Sequence, residues 1–212
     1  MTTYFTSTRD GHMGSIGELA EIRQGMALSG RAAGARPGDW RLRAIESADI
    51  TDGRVDLEGG REIEVERTER TERHLLRPYD ILVTARSQTV KAALVPPEVS
   101  RTVAGSTLLV VRTPDPASGR AHFLWYYLSS TNGRRQVESQ LTGSTLPSLS
   151  ASALGKVSIE VPAFAQLRRL ADLIDATEES YRAAIKAAHL RRDLARDTII
   201  GMHANAQLVE RT

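Results

Sequence analysis

The chain contains no cysteine. That single absence removes disulfides, thiolate nucleophiles and cysteine-ligated zinc. Lysine is almost missing as well: of 28 lysine and arginine residues only Lys91, Lys156 and Lys186 are lysines, which leaves 25 arginines. No apolar run approaches the roughly 18 residues that span a bilayer. The opening Met1-Thr2-Thr3-Tyr4-Phe5-Thr6-Ser7 lacks the basic-then-apolar order of a secretory leader. A chain with no membrane partner, in the cytoplasm, is the expectation. Proline and glycine are both absent from residues 163–200.

Catalytic and cofactor signatures are missing too. The histidines stand apart at His12, His74, His122, His189 and His203, so no metal cluster is expected. There is no Gly-x-x-x-x-Gly-Lys phosphate loop and no Gly-x-Gly-x-x-Gly turn after a strand, so no nucleotide or methyl-donor cofactor is expected. No Gly-x-Ser-x-Gly elbow frames a serine nucleophile. Asp80 could open a metal-nuclease pattern, but Thr89 stands two residues before Lys91 where a carboxylate is needed. The expectation is a chain without catalytic residues, cofactor or metal.

What is present begins with size. A length of 212 residues, 41% apolar and 25% charged, allows one sizeable domain plus an appendage. The net charge is only +2. Arginine in place of lysine offers planar forks for phosphates and guanine edges. The codon usage of a G+C-rich genome would give the same bias.

The C-terminal third carries the strongest pattern. Leu167, Ile174, Tyr181, Ala188, Ala195 and Met202 fall in one sevenfold column. Residues 163–200 as one helix would be about 57 Å long at about 1.5 Å per residue. One small domain cannot cover such a rod along its length, so the column predicts a coiled-coil partner, another chain or a second copy of this one.

Ahead of it, the signals alternate. Ser15 to Arg23 reads as a short amphipathic segment stopped by Gly25. A Gly/Ala/Arg loop follows over residues 29–38, then a half-buried strand at Trp40–Ile45. Asp52-Gly53 and Gly59-Gly60 bracket a strand at Arg54–Leu57. The charge-dense run Arg61 to Arg73 reads as a solvated face or exposed loop. Strands are expected at Asp80–Thr84, Ala92–Val95, Ser106–Arg112 and Val157–Val161, and one helix from Phe123 to Gln140. The fold class expected is α+β: a twisted mixed sheet in residues 1–162, then a helical arm in residues 163–212. Met1 to Gly14 receives no role, and Gly11 to Ser15 could be a cloning remnant.

Several polar segments suit DNA. Arg86, Ser87, Gln88, Thr89 and Lys91 follow the apolar strand; Arg and Gln pair bidentately with purine edges, while Ser, Thr and Lys suit phosphates. An ordinary polar hairpin loop would look the same. Arg31, Arg36, Arg41 and Arg43 lie among glycines and alanines that let a backbone approach closely, as they would in a flexible insertion. Arg134 could meet phosphate or favour the negative end of a helix dipole. Ser144 and Thr145 belong to a hydroxyl-rich stretch, Gly143 to Ser150, which also fits a bland turn.

Taken in order, these pieces resemble the specificity (S) subunit of type I restriction–modification systems. Ile16-Gly17-Glu18-Leu19-Ala20-Glu21-Ile22 with Gly25 is similar to the start of that family's target recognition domain. Leu76-Arg77-Pro78-Tyr79-Asp80-Ile81-Leu82-Val83-Thr84-Ala85-Arg86 resembles its strand motif, and Phe123-Leu124-Trp125-Tyr126-Tyr127-Leu128 its aromatic helix. Gly143-Ser144-Thr145-Leu146-Pro147-Ser148-Leu149 and Ile159-Glu160-Val161-Pro162 resemble the segment that closes the domain before the arm. Ala165-Gln166-Leu167-Arg168-Arg169 lacks the glutamate usual at the helix start.

The resemblance implies a non-catalytic reader of double-stranded DNA in a phage-defence system. Such subunits carry two recognition domains joined by two antiparallel helices; this chain has one of each, a half-subunit. The implied assembly is a homodimer through the arm, reading a bipartite, palindromic site. The implied partners are a DNA adenine methyltransferase subunit and a restriction/translocase subunit. The alternative is a coiled-coil adaptor whose body binds a protein and never touches DNA.

Overall fold

The structure is a computed structural model describing residues 11–27, 40–87, 89–143 and 145–209, with side chains through Met202. The chain divides into two compact units, Met1–Ala171 and Asp172–Thr212.

The first unit is α+β, as expected. Its order is β1 (His12–Ser15), α1 (Ile16–Leu19), β2 (Glu21–Gln24), β3 (Trp40–Ile45), β4 (Ile50–Thr51), β5 (Arg54–Val55), β6 (Arg61–Val65) and α2 (Glu69–His74). Then come β7 (Ile81–Thr84), β8 (Ala92–Leu94), β9 (Thr102–Ala104), β10 (Leu108–Arg112), α3 (Arg120–Ser129), α4 (Thr131–Glu138), α5 (Ala151–Gly155), β11 (Ser158–Val161) and α6 (Phe164–Val209). The strands form three sheets, ordered β2-β10-β7-β8-β5-β4, β6-β3-β9 and β1-β11. Most pairs are antiparallel, but β3 runs parallel to β9 and β5 to β8.

The apolar run at Ile81–Thr84 has no polar alternation because β7 is central, with β10 on one side and β8 on the other, and all four of its residues are buried. Leu82 packs with Ile45, Ile50, Ala93, Ala104, Leu108 and Val110 in the main core. Burying each such leucine or isoleucine contributes about 1.5–3 kcal/mol. A smaller cluster of Leu42, Ala44 and Val103 lies with β3 and β9, covered by Trp40, Ile63 and Leu75.

Helix α3 buries Ala121, Leu124, Trp125 and Leu128. That spacing of three, four and seven residues is one helix face. The indole Nε1 of Trp125 donates to the carbonyl of Ala92, 3.3 Å away, which fixes α3 on β8.

Three sequence expectations need correction. The helix expected from Phe123 to Gln140 is two helices. Ser130 leaves the helical region (ψ 160°), and its Oγ accepts the Gly133 N–H at 3.1 Å, capping α4. The segment Ser15 to Arg23 splits into α1 and β2, because β10 recruits residues 21–24 as a ladder partner. The charge-dense run presents the solvated face expected of it, but as β6 followed by α2 and not as a loop. Glu62 and Glu64 on β6 lie beside Arg43 and Arg41 of β3, and Thr68 caps α2. Residues His12–Ser15, which have no assigned role in the sequence reading, form β1, paired over four residues with β11.

Helix α6 spans 46 residues. Within the first unit its opening turns lie close to Gly119, the residue before α3. A Cβ at Gly119 would sit 3.1 Å from that of Ala171, and its φ is +81°, so glycine is required there. Leu167 and Ile174 are buried, whereas Tyr181, Ala188, Ala195 and Met202 are exposed.

Candidate nucleic-acid interface

Antiparallel pairing brings four strand ends together. Gln24 ends β2 beside Leu109, Leu108 begins β10 beside Thr84, and Ala92 begins β8 beside Val83. The connection after β2 and the loops before β10 and after β7 therefore leave from one end of the six-stranded sheet. Gly25 makes the crowding possible, because any side chain there would strike the backbone of Ala104 and Gly105.

The loop after β7 is anchored rather than loose. Thr84 and Lys91 exchange bonds: the Thr84 N–H donates to the Lys91 carbonyl at 3.0 Å, and the Lys91 N–H donates to Thr84 Oγ1 at 3.0 Å. Val90 is buried and pins the loop to the core. The Thr89 N–H donates to Ser87 Oγ at 3.2 Å. Arg86, Thr89 and Lys91 are exposed and Ser87 half-buried. Lys91 directs one Nζ donor at the Ile50 carbonyl, 3.1 Å away, which leaves its other ammonium hydrogens available.

A second segment docks onto this loop. Thr142 and Ser148 close a small hairpin through reciprocal backbone bonds of 3.0 and 2.8 Å. Ser148 also bridges Arg86, and the Leu149 N–H donates to the Ala85 carbonyl at 2.8 Å. The structure thus joins Arg86, Ser87, Thr89 and Lys91 to the turn carrying Thr145, across nearly sixty residues of sequence. Gln88, Ser144, Arg31 and Arg36 lie outside the described residues.

The remaining arginines are placed differently. Arg41 and Arg43 sit on β3 in the three-stranded sheet. Arg41 reaches Glu64 at 3.4 Å. Arg43 is 3.8 Å from Glu62 and donates to the Leu57 carbonyl at 2.9 Å. Both are engaged by carboxylates of β6, so they are less available to phosphate than Arg86. Arg134 is exposed on α4, the helix that leads into Thr142.

The sequence reading missed Gln24, Glu46, Thr107 and Thr142. Gln24 donates its amide to the Ser106 and Leu108 carbonyls, and Thr107 Oγ1 donates to Glu46 Oε2 at 2.6 Å. No local signal marks these residues, because only strand pairing assembles them.

The opposite end of the sheet is cationic. Arg112 forks onto Asp80 and also reaches the Leu75 carbonyl at 3.0 Å. Arg23 donates to the Arg73 and Leu75 carbonyls. Burial is the main cause that lowers the Arg23 pKa, and the Arg112 charge adds to it. His74 is lowered in the same way, by burial first and then by the Arg23 and Arg70 charges. The cleft there, lined by Arg77, Pro78, Tyr79 and Pro114, holds only about 110 Å³, below the range of ordinary ligand pockets.

No group of three His, Asp or Glu side chains among the described residues could hold a metal. No helix among them is long and apolar enough to cross a membrane.

No protein-family model and no curated protein matches the chain. Solved structures do. One chain from a study of complex assembly and conformational transition in a type I restriction–modification system aligns at TM-score 0.62 and 17% identity. It covers 89% of this chain and 44% of its own. The HsdS subunit of Thermoanaerobacter tengcongensis aligns at 0.51 and 17%, covering 85% of this chain and 40% of that one. The S subunit of M. genitalium aligns at 0.52 and 13%, covering 84% and 41%. At these identities the likeness is one of fold, and the resemblance read from the sequence holds at that level. The chain spans less than half the length of each structure.

Proposed function

We propose that this chain is a non-catalytic DNA-reading module, the specificity component of a type I restriction–modification or related defence complex. The observation that carries the reading is the junction of the Arg86 loop with the Thr142–Ser148 hairpin at one sheet end. It gathers a guanidinium, an ammonium, hydroxyls and backbone donors on a loop fastened to the core. Rigid placement of such donors is what base readout and phosphate contact both require. The likeness in fold to S subunits supports the same reading. The reading assigns DNA contact first to Arg86, Ser87, Thr89, Lys91 and Thr145, then to Arg134, Arg41 and Arg43, and on sequence alone to Gln88, Ser144, Arg31 and Arg36.

The reading includes a homodimer through α6. Tyr181, Ile185, Leu190, Leu194, Ile199 and Met202 are exposed large side chains on this helix, more apolar surface than water-facing helices usually carry. Leu167 and Ile174 are buried already, so the seam begins near Tyr181. Charge favours antiparallel pairing. Asp172, Asp175, Glu178 and Glu179 precede Arg182, Lys186, Arg191, Arg192 and Arg196, so inversion sets these acids against bases, with Arg168, Arg169, Asp193 and Asp197 as counter-charges. Two copies would present the same reader twice, to an interrupted palindrome. A DNA adenine methyltransferase subunit, and a restriction/translocase subunit, would supply the chemistry.

Selection from a randomised duplex pool, with the chain alone and with its methyltransferase subunit, tests the proposal. Enrichment of one split, symmetric motif is the expected result. Retention of a protein partner with no duplex enriched in either format would favour an adaptor instead.

A further inference from the structure

At the DNA-facing sheet end proposed above, one group has the wrong sign for phosphate. Glu46 follows β3 directly, and its N–H donates to Asp49 Oδ2 at 2.8 Å, so its backbone is fixed by the turn it opens. Its side chain is held as well, since Oε2 accepts the Thr107 hydroxyl at 2.6 Å. Gly105 makes room for it: a Cβ there would fall 2.5 Å from Oε1. The Thr107 carbonyl in turn accepts the Ala85 N–H at 2.7 Å, one residue before Arg86. The carboxylate is thus tied through Thr107 to the backbone that carries Arg86. It is half-buried, and among the described residues no lysine or arginine forms an ion pair with it.

A carboxylate turned toward DNA repels the sugar–phosphate chain at every sequence. It is compatible with binding only where it meets a hydrogen-bond donor, and the base edges supply one in the exocyclic amino group. Acidic side chains accept from cytosine N4 in the major groove. Fixing the side chain beforehand lowers the ordering cost of that contact. We propose that Glu46 is a specificity-determining residue which accepts a hydrogen bond from a base amino group, cytosine N4 in the first instance. The carboxylate also faces the Asp49 N–H in the capping box of the turn, so the base amino group meets a lone pair that Thr107 and this N–H leave open. This inference rests on the DNA-reading function proposed above.

The test is pool selection with the full chain and its methyltransferase subunit, wild type beside Glu46→Gln. The amide oxygen of Gln can keep the Thr107 bond, but an amino group replaces the second acceptor. The expected result is the same split motif with one cytosine position per half-site relaxed or exchanged, all other positions unchanged. Binding to the wild-type motif should fall roughly 10-fold or more. Glu46→Asp, which withdraws the carboxylate while keeping its charge, should relax the same position. Thr107→Val removes the brace and keeps the acceptor, so the cytosine preference should persist in weakened form. An unaltered motif for Glu46→Gln, or an equal loss on every sequence, would overturn the inference and leave Glu46 a brace. Failure of the wild-type chain to select any motif would instead strike the DNA-reading function itself, and this inference with it.

Discussion

Arg112 holds Asp80 by both oxygens: its Nε lies 2.7 Å from Oδ1 and its Nη2 2.6 Å from Oδ2. The Arg77 N–H adds a third bond to Oδ2 at 2.8 Å. The Asp80 side chain is 1% exposed and that of Arg112 14%. Removing one partner strands a charge in the core, at a cost of about 3–5 kcal/mol. Asp80→Asn should therefore lower the urea midpoint of the body by that equivalent. Arg112→Lys should also be harmful, because an ammonium cannot reproduce the fork. A midpoint unchanged in either variant would show that the pair is dispensable.

His74 gives a pH dependence. Burial and the Arg23 and Arg70 charges hold its pKa below the usual imidazole value. A histidine whose folded pKa is depressed favours the neutral form, so its contribution is whole above the unfolded pKa. It is lost as the pH falls from about 7 toward about 5. Protection of the amides at the end of α2, referred to the intrinsic exchange rate at each pH, should fall over that interval, and His74→Gln should flatten the response. Equal slopes in both proteins would refute the assignment.

Arg86 and Lys91 should separate in binding assays. Arg86→Ala is expected to cost roughly 1–3 kcal/mol on the selected motif and to relax preference at one position. Lys91→Ala should weaken all duplexes alike and lower the salt slope by about 1. An equal loss on every sequence for Arg86→Ala would make it a phosphate contact.

Tyr181→Asp places a charge at the start of the dimer seam proposed for α6. Sedimentation should then report half the wild-type mass, with the circular dichroism of the body preserved. An unchanged mass would move the interface elsewhere.

Ser130→Ala should cost about 1 kcal/mol by uncapping α4. Thermal melting checks this, and an unchanged melting temperature would argue that the break between α3 and α4 is set by packing alone.

Much of the architecture was legible because local pattern and burial agree. The unbroken apolar run at Ile81–Thr84, the alternation at Ser158–Val161 and the glycine-free stretch of α6 all report their surroundings directly. Other elements depend on remote partners. Residues 21–24 extend because β10 lies beside them, and Arg61 to Val65 because β3 does, neither of which a window of neighbours contains. The break at Ser130 was written in its Ser-Thr-Asn-Gly sequence, yet the aromatic run before it masked the cap. The site was legible in the same partial way. Arg86 and Thr145 stand out by residue type, whereas Glu46, Gln24 and Thr107 acquire meaning only when three connections converge.

The pairing of β1 with β11 has a consequence for how such a body can be exchanged. Its entry and exit strands run side by side over four residue pairs, so both seams of the unit meet at one place. A segment with that geometry behaves as a cassette: another body bearing the same clasp could be grafted at the root of α6 without rerouting the chain. Bodies could then be exchanged by recombination while α6 keeps its sequence.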